Sequence, residues 1–273
     1  MPEGVEVKIS ADIIKPIMVG KTIKEAIATT AGRYKSTDPE GYVEFNKHLP
    51  AQVTDIQTKG KFMYWTFDNG WYLFSTFGMT GQWSPQQGKH PCFFFSYLDG
   101  QENKSMFFND PRHFGTIKFV RGEQALREKL GELGWDPLAR SIQEYDAFIH
   151  SHLRVSKKPI GELLMDQGFF AGVGNYIRAE ALYLSKLSPW RPGNSLTSQE
   201  IDSLQESIVQ VMKDSYDHQG ATILTYKDAF GAEGKYSSCF KVYGQKVDPL
   251  GNKIKKETGP DGRTIHWSPT VQV

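Results

Sequence analysis

The sequence predicts an α+β protein whose first half is a β-sandwich and whose second half is helical. Three observations support this fold class. Short apolar segments separated by turns dominate residues 22–120, a capped amphipathic pattern begins at Thr197, and residues 259–262 have the composition of a hairpin turn. The 273 residues are enough for one large core or two modest ones.

The first half is expected to begin with a helix and to continue as strands. Apolar residues recur at helical spacing from Val7 to Met18, and Pro16 is expected to end or kink that helix. The strand-like segments are residues 52–58, 61–67, 71–77, 93–98 and 116–120, with a turn at 68–70. A β-sandwich or barrel accounts best for them.

The second half is expected to be helical before it returns to strands. One helix opens at Pro159, another starts at Asn175, and Thr197 with Glu200 forms a capping box ahead of a well-patterned helix. Two strand segments, 253–257 and 263–267, flank the turn at 259–262.

Composition excludes several classes of protein. Cys92 and Cys239 lie far apart without a CxxC partner, so neither a disulfide framework nor a zinc finger of cysteine ligands is available. No apolar run is long enough to cross a membrane or to act as a signal peptide. The formal net charge is +1, so nucleic acid would have to be bound by one face. Residues 154–191 and 240–273 carry modest cationic excesses, for which a solvated surface is the alternative interpretation.

Residues 1–6 offer a chemistry that a chain terminus can perform. Removal of Met1 would leave Pro2 with a free secondary amine, and an α-amino group titrates near about 8 whereas a lysine titrates near about 10.4. Such an amine condenses with an aldehyde to a cationic iminium. Glu3 is placed to move a proton, with Glu6 one helical turn further on. The alternative interpretation is a favourable first helical turn, with proline at its start and acids near the positive end of the dipole.

Six short segments occur in a specific order along the chain, although each is weak alone. They are Pro2-Glu3 with Glu6, Gly60-Lys61-Phe62, residues 77–81, residues 110–115, Asp166-Gln167 with residues 172–175, and Val242-Tyr243-Gly244 with Gly262-Arg263-Thr264. Together they resemble the Fpg/Nei family, the formamidopyrimidine-DNA glycosylases and endonuclease VIII-like enzymes, over essentially the whole chain.

The resemblance implies an N-terminal β-sandwich flanked by helices, a helix-two-turn-helix domain and a C-terminal β-hairpin finger, with DNA bound in the cleft between domains. We expect the catalytic domain at residues 1–137, a linker at 138–153, the helix-two-turn-helix domain at 154–238 and the finger at 239–273. His150 alternates with His152 in a metal-like pattern, but it falls in that linker and is expected to be solvent-exposed.

The resemblance also implies roles for the catalytic residues. Pro2 would attack C1′ of the damaged nucleoside, displace the base and form the iminium. Glu3 would protonate the sugar ring oxygen and then assist elimination. Lys61 would lie by the scissile phosphate or the site of base displacement and neutralise developing charge. The alternative for Lys61 is a strand-edge lysine that discourages aggregation.

An enzyme that reaches C1′ of a stacked nucleotide must extrude it, and the vacated space must be filled. In the family this is done at the positions of Met79, Arg112 and Phe114, where apolar wedges support the kinked step and arginine bonds the orphaned base. The alternative is that Met79 and Phe114 are ordinary core or turn residues. His113 stands where the family often has a second arginine, which leaves one phosphate contact open.

Two further segments are expected to contact DNA phosphates. Residues 172–174 follow a helix rather than a strand, so a dinucleotide site is not favoured. We expect a turn whose backbone approaches a phosphate, with Asn175 as a side-chain donor at a helix N-terminus; a plain helical hairpin is the alternative. Arg263 matches the family's finger arginine, and its alternative is an exposed loop residue.

The finger lacks the cysteines that pin it in most bacterial members. The last pair would fall at Ser268 and Val271, which makes this a zincless finger held by packing. Metal-free fingers occur in animal and giant-virus endonuclease VIII-like proteins, and the resemblance is therefore closest to that subfamily. The packing residues are expected to be Val242, Ile254, Ile265 and Trp267.

We therefore expect a monomeric, bifunctional DNA glycosylase and apurinic/apyrimidinic lyase that acts on damaged double-stranded or single-stranded DNA without cofactor, metal or membrane. Base release would be followed by β,δ-elimination. Oxidised pyrimidines and hydantoins are the favoured substrates, and residues 220–236 should cover the flipped base. The alternatives are a formamidopyrimidine and 8-oxoguanine enzyme, and a catalytically silent lesion-binding protein. The expected location is intracellular: the nucleus of a eukaryotic or virus-infected cell, or a bacterial cytoplasm.

Overall fold

A computed structural model describes residues 2–30, 32–222 and 227–273. The chain divides into two compact units, each with its own core. The first unit comprises Met1–Glu132 and Gln219–Gly234, and the second comprises Leu133–His218 and Lys235–Val273. Among the described residues, no helix combines the length and apolar character needed to cross a bilayer.

The first unit contains three helices and eight strands in its described residues. The helices are α1 (Gly4–Met18), α2 (Tyr42–Asn46) and α3 (Glu123–Gly131). The strands are β1 (Thr22–Ala28), β2 (Ala51–Lys59), β3 (Phe62–Phe67), β4 (Trp71–Thr76), β5 (Gln82–Ser84), β6 (Pro91–Asp99), β7 (Glu102–Asn109) and β8 (Thr116–Arg121). Each predicted strand of this half is present, and α1 continues past Pro16 to Met18.

The eight strands are antiparallel in the order β5-β7-β6-β1-β2-β3-β4-β8, and they fold into a sandwich. Only two residue pairs join β1 to β2, Thr22 with Gln52 and Ile23 with Ala51. The pairing between the two halves of the sheet is therefore short. The ring of Trp65 in β3 lies 4.8 Å from that of Trp83 in β5, although five steps of strand order separate them. Aromatic side chains of the two halves therefore share one core.

The short and polar strands of this sandwich do not stand out in the sequence. Strand β5 has only three residues, and the first half of β7 is exposed and polar. Strand β1 contains a register shift between Ile23 and Glu25, which breaks the alternation of apolar and polar residues. Pairing with β6 and β7 specifies these segments, rather than any local pattern.

The second unit contains four helices and one hairpin in the part of the chain that the structure describes. They are α4 (Ile142–Val155), α5 (Ile160–Leu163), α6 (Asn175–Leu184), α7 (Ser198–Asp217), β9 (Lys255–Thr258) and β10 (Thr264–Trp267). The predicted capping box at the start of α7 is present, with the Glu200 backbone N–H donating to Thr197 Oγ1 at 3.3 Å. The predicted hairpin pairs Thr264 with Thr258.

Residues 142–155, most of the predicted linker, are helical. Ser141 and Glu144 form a capping box, and Ile149 and Leu153 are buried one turn apart. The side chain of His150 is only 13% exposed and lies 2.8 Å from Asp202 of α7. The prediction of a solvent-exposed His150 is therefore wrong, because the amphipathic helix packs this side chain against α7.

Candidate functional site

The first candidate site is the N-terminal segment of the first unit, at the start of helix α1. Pro2 is buried, and Glu3 and Glu6 are 2% and 1% exposed. The two glutamates form a reciprocal capping box, in which the Glu3 backbone N–H donates to Glu6 Oε2 at 2.7 Å. The chain terminus is thus held in one orientation by its own first helical turn.

Glu6 also binds a segment distant in sequence. Its Oε1 accepts a hydrogen bond of 2.9 Å from the Ala221 backbone N–H. Gly220 has a φ of +81°, and a Cβ there would lie 3.0 Å from Glu6 Oε1, so the approach favours glycine. Both carboxylate oxygens of Glu6 therefore accept backbone hydrogen bonds, one from Glu3 and one from Ala221.

Lys61 lies in the turn between β2 and β3. Gly60 before it has a φ of +56°, which favours glycine, and Phe62 after it is buried. The lysine itself is half-buried. The turn therefore fixes the position of Lys61 between strands β2 and β3.

A second candidate site is formed by two loops, residues 77–81 and 110–115, which Asp110 joins. Asp110 is 1% exposed. Its carboxylate accepts from Thr80 Oγ1 at 2.5 Å and from the Gly115 backbone N–H at 2.7 Å. Asp110 belongs to the predicted segment 110–115, but no role was predicted for its side chain; its place before Pro111 is the local signal.

The three side chains predicted to fill the void belong to these loops. Phe114 is 53% exposed, and the guanidinium of Arg112 lies 5.2 Å from the centre of its ring. A Cβ on Gly78 would lie 2.6 Å from the Phe114 carbonyl carbon, so only glycine allows the loops to approach so closely. Met79 and Arg112 both line a cavity of about 650 Å³. An exposed phenylalanine beside an arginine suits a wedge better than a core.

His113 lies inside this second loop. It adopts a φ of 59°, and its Nδ1 is 3.4 Å from the Sγ of Cys92. Burial raises the pKa of the Cys92 thiol, so the sulfur is held as a neutral partner. His113 is thus turned toward the strand that carries Cys92.

The segment predicted to cover a flipped base is described only in part. Residues 223–226 lie outside the described residues, as does Met1. Beyond them, the carbonyl of Lys227 accepts from Gln82 Nε2 at 3.0 Å, and that of Ala229 accepts from Ser84 Oγ at 2.7 Å. The C-terminal part of this segment is therefore bound to β5.

In the second unit, Arg178 ties the start of α6 to the hairpin. Arg178 is 1% exposed and donates to the Gly161 carbonyl at 2.9 Å, to Asp261 Oδ2 at 3.1 Å and to Asn175 Oδ1. Asn175 in turn donates from Nδ2 to the Thr264 carbonyl at 3.0 Å. Arg178 lies in the cationic stretch 154–191 and was not predicted as a site residue, although its position one helical turn after Asn175 was the available signal.

Arg263 stands at the turn of the hairpin. Its side chain is 47% exposed, and its Nη1 lies 3.5 Å from Asp261 Oδ2. The Arg263 backbone N–H donates to Asp261 Oδ1 at 3.1 Å. Asp261 therefore contacts one buried arginine, Arg178, and one exposed arginine, Arg263, at the turn.

The finger contains a buried polar network around Asp248, which sequence analysis did not find. Asp248 is 3% exposed and Ser268 fully buried. The Asp248 carboxylate accepts from Ser268 Oγ at 2.8 Å and from the Asn252 backbone N–H at 2.8 Å. Val242, Ile254 and Ile265 are also buried in this region, whereas Trp267 is half-buried.

Comparison with known protein families gives two matches. Residues 1–117 match the formamidopyrimidine-DNA glycosylase N-terminal domain, and residues 133–227 match the formamidopyrimidine-DNA glycosylase H2TH domain. A formamidopyrimidine-DNA glycosylase of an Exiguobacterium strain is 30% identical over 100% of this chain and 99% of that protein. Its counterpart in Lactiplantibacillus plantarum is 32% identical over 75% of this chain and 76% of that protein.

Solved structures agree with these matches. The MutM (Fpg) protein of Thermus thermophilus has a TM-score of 0.85 and 27% identity, covering 99% of this chain and 98% of that chain. A Lactococcus lactis Fpg mutant bound to Fapy-dG containing DNA has a TM-score of 0.87 and 26% identity, and covers 99% of both chains. The wild-type Lactococcus lactis Fpg has been solved with an oxidised pyrimidine containing DNA, with a TM-score of 0.85 and 26% identity over 99% of both chains. The predicted two-part α+β fold is confirmed.

Proposed function

Because the chain belongs to the formamidopyrimidine-DNA glycosylase family, we propose that it excises oxidised bases from DNA and then cleaves the abasic strand. The predicted enzyme class, a DNA glycosylase of base excision repair, is confirmed by that membership. The observation that carries the proposed mechanism is the buried terminal corner, in which Pro2 and Glu3 are oriented by Glu6.

The proposed chemistry begins at the Pro2 nitrogen once Met1 has been removed. Its lone pair attacks C1′ of the damaged nucleoside while the bond from C1′ to the base breaks, and the base leaves with the proton that the amine nitrogen loses. Glu3 donates a proton to the sugar ring oxygen, and the ring opens to a cationic iminium. The Glu3 carboxylate, now ionised, takes a proton from C2′ and the 3′ phosphate leaves; loss of a proton from C4′ then expels the 5′ phosphate. A one-nucleotide gap with phosphate ends remains.

We infer that Glu6 supports this chemistry as a positioning residue. Its two oxygens hold the Glu3 and Ala221 backbone N–H groups, and Glu3, whose carboxylate accepts from the Glu6 backbone N–H, is the acid adjacent to the amine in sequence. Lys61, on its constrained turn, would supply a cation for the phosphate that develops charge during elimination.

Met79, Arg112 and Phe114 are proposed to occupy the space that the extruded nucleotide vacates. The exposed Phe114 ring would wedge between base pairs, and the Arg112 guanidinium stacked on it would bond the orphaned base. Asp110 accepts hydrogen bonds from both loops, so Met79, Arg112 and Phe114 would be held in position without bound DNA.

Arg263 and Asn175 are proposed to contact phosphates. We expect Arg263→Ala to weaken DNA binding and to reduce the slope of log affinity against log salt by about 0.9, the contribution of one phosphate contact. The measurement is fluorescence anisotropy on abasic-analogue DNA at several salt concentrations. Lys213→Ala, which removes an exposed cation of α7, is the matched control and should leave the slope unchanged. An unchanged slope in Arg263→Ala would contradict the assignment.

The lesion preference is a choice between two classes. Formamidopyrimidines are supported by the names of the relatives and by the Fapy-dG complex of the Lactococcus lactis protein. Oxidised pyrimidines and hydantoins are supported by the absence of zinc cysteines in the finger and by the complex of that same protein with an oxidised pyrimidine. We propose formamidopyrimidines as the first substrate class and oxidised pyrimidines as the second.

Single-turnover rates on matched duplexes test this proposal. One duplex carries a formamidopyrimidine, one 8-oxoguanine opposite cytosine, one thymine glycol, and one no lesion. We expect the formamidopyrimidine duplex to be cut at least about tenfold faster than the thymine glycol duplex, a difference of about 1.4 kcal/mol in activation free energy. The reverse order would assign the chain to the pyrimidine-specific class, and no cutting of any duplex would support the catalytically silent alternative.

We propose that the finger is zincless and that the hydrogen bonds of Asp248 stabilise it in place of a metal ion. Burial raises the pKa of Asp248, but hydrogen bonds from Asn252 and Ser268 outweigh it and leave the pKa below its ordinary value. The carboxylate therefore stabilises the fold above pH of about 3.9, and this contribution is lost as the pH falls through the folded-state pKa.

Ser268→Ala tests this network. We expect it to lower the free energy of unfolding by about 1–3 kcal/mol at neutral pH, because a buried carboxylate loses a donor. The loss should shrink at acidic pH, where Asp248 is protonated. Denaturant titration measures both values, and Ser203→Ala, an exposed serine on α7, should change stability by less than about 0.5 kcal/mol. Equal effects of the two variants would contradict a role for the network.

The subfamily and location follow as proposals from this finger. A metal-free finger supports an endonuclease VIII-like enzyme of the animal or giant-virus type, and with it a nuclear site of action. The relatives reported above are bacterial, and a bacterial source would place the enzyme with the genome in the cytoplasm.

A further inference from the structure

A cluster of metal-ligating side chains lies between α4 and α7 of the second unit. Asp146 and His150 stand one turn apart on α4, and Asp202 comes from the first turns of α7. One potential ligand atom of each lies within 4.8 Å of the others. None of the three belongs to the residues proposed for glycosylase chemistry.

The spacing of these atoms suits a shared ion. His150 Nε2 is 2.8 Å from Asp202 Oδ1 and 3.4 Å from Asp146 Oδ1. Two ligands about 2.1 Å from one zinc ion are about 3.0 Å apart at a right angle and about 3.4 Å apart at the tetrahedral angle. The 2.8 Å separation is below both values, so an ion would be bound after His150 Nε2 and Asp202 Oδ1 move apart by about 0.2–0.6 Å.

The acidic lining of the adjoining cavity favours a bound cation. It has a volume of about 430 Å³, and its lining includes Asp146, Asp202 and Glu206. No lysine or arginine is among its described lining residues. Three carboxylates lie at this cavity and the His150 imidazole contacts two of them, so the cluster stays negative even when His150 is protonated.

The side chain of Gln205, on α7 one turn after Asp202, has polar atoms left unpaired within the described part of the chain. It is 1% exposed and lines the same cavity. Neither its amide oxygen nor its amide nitrogen has a hydrogen-bond partner among the described residues. Buried amides are almost always bonded, because an unpaired one costs free energy. With its side chain rotated toward the cavity, the amide oxygen would accept from a metal-bound water or bind the ion directly.

We propose that Asp146, His150 and Asp202, with Glu206 or Gln205 beside them, bind a divalent transition-metal cation of the zinc type. Imidazole with carboxylates is a ligand set that zinc accepts, whereas calcium and magnesium prefer oxygen alone. The ion links α4 to α7 and so stabilises the helical unit rather than taking part in base excision.

The test is zinc binding by the whole chain, stripped of metal and carrying Cys239→Ser to remove its exposed thiol. Isothermal titration with Zn²⁺ should give one site, and saturation at about a hundredfold above Kd should raise the Tm by about 5 °C. Substitution with Co²⁺ should give d–d absorption without the intense sulfur-to-metal band of a thiolate ligand.

Variants decide whether these residues are the ligands. Asp202→Asn keeps the shape of an exposed side chain but removes its charge. We expect this variant to weaken Zn²⁺ binding at least about tenfold, and we expect the same of His150→Gln. Asp217→Asn, an exposed carboxylate at the far end of α7, should bind as the parent does. Absence of binding by the parent, a thiolate band with Co²⁺, or equal affinity in Asp202→Asn would each overturn the proposal and leave an ion pair only.

Discussion

A chain that carries extra residues before Pro2 is expected to form no covalent adduct when borohydride is added to its mixture with abasic DNA. An added residue turns the secondary amine of Pro2 into an amide, whose lone pair is delocalised and cannot form an iminium. Strand cleavage should fall at least about a thousandfold, which corresponds to about 4 kcal/mol of activation free energy. The buried setting of Pro2, ahead of the Glu3 and Glu6 capping box, is a further reason to expect the extension to be harmful.

The matched control is the same protein after its extension is removed. A protease site placed so that cleavage leaves Pro2 first should restore the adduct and the cleavage rate together. Intact mass establishes which terminus each sample has, since retained Met1 would act like the extension. Peptide mapping of the adduct should locate the crosslink at Pro2. An adduct that forms equally before cleavage, or maps to Lys61 or another lysine, would refute the proposed nucleophile.

Replacement of Arg178 by methionine is expected to cost about 3–5 kcal/mol of stability in the second unit. The guanidinium is 1% exposed and donates to Asp261, Asn175 and the Gly161 carbonyl. Methionine fills much of the space but donates nothing, so the carboxylate of Asp261, itself 14% exposed, loses its buried partner. We also expect DNA affinity to fall, because the turn that presents Arg263 loses its anchor.

Thermal unfolding and DNA binding measure the two consequences. The Tm should fall by roughly 10 °C in Arg178→Met. Arg263→Ala removes the exposed arginine that shares Asp261, and it should leave the Tm within about 2 °C of the parent because exposed ion pairs contribute little. If both variants lowered the Tm equally, or if neither did, Arg178 would not be the buried anchor that its contacts indicate.

Elements with a local signal could be predicted from the sequence. The capping box at Thr197, the helical spacing after Val7 and the turn at residues 259–262 each bring together a pattern and a terminating residue. Strand β5 and helix α4 were missed. Three residues are too few to show a period, so the pairing of β5 with β7 decides the structure of that strand. Helix α4 did carry local signals, the Ser141 and Glu144 capping box and the helical spacing of Ile149 and Leu153, so it could have been predicted.

The sequence by itself determined the family, the α+β fold and the candidate residues at the terminus, the two loops and the hairpin, because their order along the chain is specific even where each motif is weak. Only the tertiary structure decided which side chains hold these candidate residues in position. Glu6 binds Ala221, Asp110 binds Thr80, and Asp248 binds Ser268 across separations that no periodicity spans. Buried carboxylates must find donors wherever the fold brings them, and chain order does not encode that choice locally.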